Sequence, residues 1–422
     1  MRPSRTTPAH TTAWLAELVC SNSLKSKAPD SPAGLLKEEM SALGSLVLRC
    51  AAEHEVPGGQ ALCVDRERFG EAVSSAVGSH PLIELVRAHW SPEQRRPGAT
   101  TVLATGPLSS EPVADWLANT TGRPHLFFYD SVSPTVEADS IDRTVAFAAS
   151  RYGKGDDDYL NCPMGREEYE AFVHELVAAE RVPLHSFESG GVRDGDNGID
   201  PERIPYFSGC MPIEAIAERG LRSLAFGNFK PVGLVDPRTG RRPYAVLQLR
   251  PENRERTMYS LVACQNRLRW GEQKRVFRMV PGLERAEFVR YGVMHRNTFV
   301  DAPRTLTREL ALRAVPDVLV TGQLTGVEGY VESAAMGIWA GIVAWARHRG
   351  LTVPPPPRET ALGGLLAHLQ DTTPREFAPM NINWGLFPPV AARDKGIRRA
   401  AQLARARTAF ARWQPQAASP SE

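Results

Sequence analysis

Apolar residues recur at helical spacing between Ala33 and Cys50, and that period predicts an amphipathic helix there. Pro57-Gly58-Gly59 then marks a turn, and Asp65 is a suitable N-cap for a second helix because its short carboxylate reaches the unpaired N–H groups of a first turn. The run Thr101-Val102-Leu103 reads as a strand and closes in Ala104-Thr105-Gly106-Pro107. The pattern then shortens, with a β-like run from His125 to Tyr129 and a polar helix after Pro163. Residues 188–203 are rich in Gly and Asp and read as a surface loop; its D-x-D spacing lacks the other ligand positions of a calcium site, so no metal is expected. Val318-Leu319-Val320 has strand character, Gly322, Gly326 and Gly329 set a tight turn around Glu328, and a helix starts near Tyr330. Gly337 and Gly341 lie four apart in that helix, a spacing expected to let another backbone approach closely. The prolines from Pro354 to Pro357 form a stiff connector, and a basic amphipathic helix from Lys395 to Trp413 follows.

Strand, glycine turn and helix at 318–345 are the arrangement by which α/β flavoproteins aim a helix N-terminus at a cofactor's phosphate or ring system. The strand ending in Ala104-Thr105-Gly106 is a second feature of that class. The pattern therefore predicts an α/β chain with a dinucleotide-binding, Rossmann-like core. That core is formed by residues 1–106 and 291–422, with a smaller α+β insertion at 107–205 and a basic connecting stretch at 206–290. In such folds the main pyrophosphate site is a separate G-x-G-x-x-G between the first strand and helix, and that motif is absent from this sequence.

The 422 residues are 42% apolar, enough for a large core and two or more compact units. A formal charge of +2, from 50 basic and 48 acidic residues, calls for no polyanionic partner. The distribution is less even, since Arg238 to Arg296 holds fourteen Lys or Arg against five Glu and no Asp. Such a run serves either as a solvated face or as a phosphate-tracking groove. Six scattered cysteines without C-x-x-C pairs argue against zinc and disulfides and fit a reducing cytoplasm. No apolar run reaches the length of a membrane span, and the N-terminus has no signal-peptide core.

Two cysteines sit in chemically suggestive settings. Cys20 lies among the small polar residues Ser21, Asn22 and Ser23, which could hold a thiolate or a cofactor edge. Cys210 follows Gly209 and precedes Met211-Pro212 and an expected helix, and a cysteine at a helix N-terminus is a better nucleophile. The alternative for both is a small buried hydrophobe.

The blocks AELVCSNSLKS, GLLKEEM, YLNCPM, FSGCMPIE, KPVGL, RPYAVLQLR, VRYGVMHRNTF, TGVEGYVESAA and MNINWGLFPP run in order through most of the chain. Together they resemble the signature of the folate- and flavin-dependent tRNA (uracil-5-)-methyltransferase family, TrmFO, formerly Gid. The resemblance implies formation of 5-methyluridine in the T loop of tRNA. The one-carbon unit would come from methylenetetrahydrofolate and the electrons from NAD(P)H through FAD; a relative acting on ribosomal RNA, or a non-catalytic RNA-binding remnant, is the alternative. It implies Cys210 as nucleophile and Cys20 as a second functional cysteine. Gly106, Gly326, Val327, Glu328, Gly329 and Tyr330 are implied beside the flavin, with Asn22 and Ser23 on its other side. His295 is implied to stack on the folate pterin, with Arg296 and Asn297 in the same substrate-binding block. The basic stretch, with Tyr244, Tyr259 and Trp270 interleaved, becomes the expected RNA face. Oligomeric state is not readable. Family members carry a strand–G-x-G-x-x-G–helix–strand segment before the Met-Arg-Pro at which this chain starts. The core is therefore expected to be N-terminally truncated or its start assigned to an internal methionine. Taken literally, the chain would have an exposed sheet edge and poor FAD affinity.

Overall fold

The computed structural model describes residues 10–122, 126–153, 157–182, 211–292, 294–373, 377–392 and 394–418. Cys210 and the 188–203 loop lie outside the described residues. The chain opens with β1 (Ser23–Ser26), α1 (Pro32–Ala42), α2 (Leu46–Glu53), β2 (Glu55–Val56), β3 (Ala61–Val64) and α3 (Arg66–Gly78). Next come β4 (Thr101–Leu103), α4 (Glu111–Thr121), β5 (Leu126–Ser131), β6 (Thr135–Glu137), β7 (Phe147–Ala148), β8 (Leu160–Met164) and α5 (Arg166–Ala178). From residue 211 onward come α6 (Ile213–Ala217), α7 (Ser223–Phe226), β9 (Ala245–Pro251), β10 (Met258–Leu261), α8 (Trp270–Phe277), β11 (Phe288–Arg290) and β12 (Met294–Phe299). The chain finishes with α9 (Ala302–Thr305), β13 (Val318–Val320), α10 (Tyr330–His348), α11 (Ala361–Asp371) and α12 (Lys395–Ala418).

Local sequence explains most of these boundaries. Asp65 caps α3 by accepting from the Arg68 amide at 3.1 Å, as expected of a short carboxylate. The helix expected over Ala33–Cys50 is instead two helices: Gly44 has φ +76°, and Ser45 accepts from the Leu48 amide to start α2. Gly337 and Gly341 also differ from expectation, because no backbone lies within 4 Å of the Cβ position at either. Both are open, and Gly337 faces a cavity described below.

Two hydrophobic cores organise the chain. The first runs from Leu18 to Leu117 and resumes from Phe299 to Trp413, with Trp339 fully buried within it. Here β4 and β13 pair in parallel, Leu319 opposite Val102. A parallel pair needs a crossover, and the connection from Leu103 to Val318 contains the whole second core. That core draws on residues from Val136 to Ala286 and backs a six-stranded sheet in the order β11-β6-β10-β9-β8-β7. Strands before and after the 205/206 position share this one sheet. The entering strand β5 and the leaving strand β12 pair antiparallel over six positions, Leu126 opposite Phe299 through Ser131 opposite Met294.

The junction between the cores is polar. Arg66, at the start of α3, forms an ion pair with Glu252, which follows β9 and is 4% exposed. Asn22 donates to Val64 O at 3.0 Å on one side and Pro251 O at 3.1 Å on the other. Burial alone would raise the Glu252 pKa, but Arg66, Arg290 and Arg250 together hold it at about 2. Folding thus lowers this pKa from its ordinary 4.5, so its stabilisation is present above pH 4.5 and lost as pH falls toward 2. Glu252→Gln should cost about 3–5 kcal/mol at neutral pH, because it leaves buried guanidiniums without a counter-charge. Urea midpoints measured from pH 7 down to 3 should show the parent losing stability on the acid side and the variant, already weaker, losing less.

Candidate functional site

The glycine turn after β13 shapes one wall of the site. Gly326 has φ +95°, and a Cβ there would lie 2.5 Å from Phe377 Cζ; Gly329 has φ +113°, with Lys25 Nζ 2.6 Å from where its Cβ would stand. Both positions therefore exclude side chains. Between them Glu328 N donates to Met380 O at 2.9 Å and Met380 N to Gly326 O at 3.1 Å, which pins the turn to the 380 segment. Lys25 bridges the turn to α10, donating to Glu328 O at 3.2 Å and pairing with Glu332, whose side chain is fully buried. The N-terminus of α10 carries no side-chain cap.

Tyr330 is the first residue of that helix. Its phenol oxygen accepts from the Cys20 amide at 2.9 Å and lies 3.1 Å from Cys20 Sγ. Burial and the neighbouring Cys20 push the phenol pKa well above its ordinary 10, so Tyr330 keeps its proton and can share it with the sulfur. Three arginines hold the irregular segment that carries Cys20. Arg66 donates to Leu18 O, Arg290 to Val19 O at 3.3 Å, and Arg250 to Ser21 Oγ at 2.8 Å.

These groups line a cavity of about 660 Å³, within the range of small-molecule sites. Of the residues singled out in the sequence, Cys20, Ser23, Gly106, Asn297, Glu328, Gly329 and Tyr330 face it. Asn22, Gly326 and Val327 do not: Asn22 ties the two cores, Gly326 packs on Phe377, and Val327 is fully buried in the first core. His295 and Arg296 pair with Asp130 and Tyr129 in the β12–β5 ladder, and their side chains lie outside the description. Cys210 is likewise undescribed; the described Ile213 donates from its N to Gln265 O at 2.8 Å, and Gln265 lines the wall.

Several site groups carry no local sequence signal. Lys25, Arg250 and Gln323 reach the cavity through tertiary contacts, Arg250 from 229 positions beyond its partner Ser21. Ser260 Oγ, Thr321 Oγ1 and Arg250 Nε are buried without a hydrogen-bond partner, and all three residues line the cavity. Buried polar atoms left so are expensive unless a ligand completes them. Orphaned polar atoms, an uncapped helix N-terminus and the side-chain-free position at Gly329 suit a flavin, which Gly106, Gly329, Tyr330 and Thr321 could hold. Among the described residues no cluster of three metal-ligating side chains occurs, and no helix is long and apolar enough to cross a membrane.

The basic stretch is more neutral in space than in sequence. Arg238 pairs with Asp236, Arg269 with Glu180, Arg275 with Glu175 and Glu272, and Arg278 and Lys274 with Glu287. Asp236, Glu175 and Glu180 lie outside the stretch and cancel part of its excess.

Residues 5–352 match the family described as Glucose inhibited division protein A. A protein of Desulforudis audaxviator named methylenetetrahydrofolate–tRNA-(uracil-5-)-methyltransferase TrmFO is 51% identical over 412 residues, covering 98% of this chain and 90% of its own. A protein of the same name from Geobacter sulfurreducens is 50% identical over 405 residues, covering 96% of this chain and 89% of its own. Among solved structures, Aquifex aeolicus GidA in its form II crystal shares the fold with a TM-score of 0.58 at 15% identity, over 94% of this chain and 67% of that one. The expected Rossmann-like α/β core is thus the fold observed, and the chain belongs to the glucose-inhibited division protein A family, among its TrmFO members.

Proposed function

We propose that this protein methylates C5 of a uridine in tRNA, in the T loop, with methylenetetrahydrofolate as one-carbon donor and FAD as its bound cofactor. One observation carries the reading: a half-buried phenol–thiol pair stands at the uncapped N-terminus of α10, on one cavity, in a chain half identical to proteins of that name. NAD(P)H is the proposed source of electrons, and the cytoplasm the proposed setting, where thiols stay reduced.

The chain's own residues divide the work. The C5 position of uracil is a weak nucleophile until a thiolate adds at C6, and Cys210 is proposed to supply that thiolate. The new C6–S bond pushes electron density to C5, which then takes the methylene carbon from the folate. Cys20, as a thiolate accepting a hydrogen bond from the Tyr330 phenol at 3.1 Å, is proposed to take the proton lost from C5 and so become the thiol. The FAD, when bound and reduced, supplies the electron pair that brings the transferred carbon to the methyl level. Loss of Cys210 from C6 restores the ring and releases the product. His295, Arg296 and Asn297 are proposed to border the folate, with Ser23, Glu328 and Gly329 on the cofactor side. The target base must leave the folded loop to reach the thiolate.

Cys210→Ala should abolish both methyl transfer and covalent capture of a 5-fluorouridine RNA, assayed with FAD supplied; capture that survives the change would remove Cys210 as the nucleophile. Tyr330→Phe keeps the ring but deletes the shared proton. It should lower the single-turnover rate roughly a hundredfold, while flavin retention on gel filtration and tRNA affinity stay near those of the parent. An unchanged rate would take Tyr330 out of the chemistry.

A further inference from the structure

Three aromatic rings outside the cavity form a pillar from the second core to solvent. Phe288 stacks on Tyr291 with centroids 5.3 Å apart and planes within 5°, and Tyr291 stacks on Trp270 at 5.4 Å and 10°. The other aromatic pairs of the second core are tilted by 43° or more, as buried rings usually are. The base of the pillar is fixed, for Phe288 packs on Phe277, which is fully buried. Its top is not covered, since Trp270 remains 62% exposed.

The register between these rings is locked by a buried glutamine. Gln273, on α8 with Trp270, donates to Gly292 O at 2.9 Å and accepts from Gly292 N at 2.7 Å, so the residue after Tyr291 is clamped to the helix bearing the tryptophan. Gly292 itself admits no side chain, because a Cβ would lie 2.7 Å from Val132 O. The segment that carries Tyr291 is also tied to the cavity wall through its neighbours. Arg290, just before Tyr291, holds the cavity residue Val19; Gly292, just after it, abuts Val132 and Asn266, whose chain neighbours Ser133 and Gln265 line the wall. Around the exposed indole, Arg269 and Lys274 sit on carboxylates at 3.3 and 3.4 Å, with every partner at least 40% exposed. Such surface pairs are weak and exchange readily for phosphates.

We infer that Trp270 is a stacking platform for an unpaired base of the substrate RNA, a base neighbouring the target uridine, with Tyr291 and Phe288 holding the indole in place. An exposed, immobilised indole beside cations is how single-stranded nucleic acid is gripped without reading its sequence. The inference rests on the tRNA reading above. It differs from the expectation of a broad basic face, because the contact is aromatic and most neighbouring cations are already paired.

The test is equilibrium binding of a fluorescein-labelled tRNA transcript to the full chain across a salt series. Trp270→Ala should weaken binding roughly tenfold or more, the range seen when one stacked base loses its platform, with no change in the slope of log affinity against log salt. Trp270→Phe should stay within about threefold of the parent, since a phenyl ring still offers a face. Equal affinity for Trp270→Ala and parent would overturn the platform, as would equal losses for Ala and Phe or a flattened salt slope in the Ala variant. A parent chain that retains flavin yet binds no tRNA would overturn the tRNA reading itself, and the platform with it.

Discussion

The site depends on a single buried carboxylate. Glu252 sits among the guanidiniums of Arg66, Arg250 and Arg290, which come from three different elements, and each arginine also grips the segment from Leu18 to Ser21. One negative charge against three positive ones leaves the cluster short of two anions. Burial pushes the Arg290 pKa down to about 10, with Arg66 adding to the effect and Glu252 opposing it. The cluster lies at the junction of the two cores, where Arg66 pairs with Glu252 and Asn22 bonds both sides. An anion forming at the adjacent cavity wall is therefore stabilised by groups already in place, the usual form of electrostatic preorganisation.

Much of the first core was legible because its determinants are local. Asp65, the apolar strands at 101 and 318, and the three glycines around Glu328 each dictate backbone geometry within a few residues. The misread positions failed for equally local reasons. Gly44 breaks the apolar period that joins α1 to α2, and a glycine pair at helical spacing cannot tell close packing from open space. Gly326 and Val327 are implied beside the flavin with their neighbours, and the turn alternates its faces, sending Glu328 and Gly329 to the cavity and Val327 into the core.

What the sequence could not convey was convergence. Lys25, Arg66, Glu252 and Arg290 span 265 positions, and no window of periodicity relates them. Charge counting misled for the same reason, since the carboxylates that neutralise part of the basic stretch are remote in the chain and close in space. Family resemblance located Cys20 and Tyr330 in separate blocks; only the fold brings the phenol to 3.1 Å from the sulfur.

Tyr330 begins a rod of 19 residues that lines the cavity as far as Gly337 and then runs on into the first core. Midway, Trp339 donates to Arg308 O at 2.9 Å and packs against Trp413 of α12; Trp413 in turn donates to Pro354 O at 2.8 Å, and Arg407 on the same helix pairs with Glu38 of α1. The C-terminal helix thus works as a splint on the element that presents the phenol. Damage at Trp413 would surface as a fault at the phenol end of α10, so a lesion that looks like lost cofactor affinity in this protein can originate about two helical turns along the rod from Tyr330.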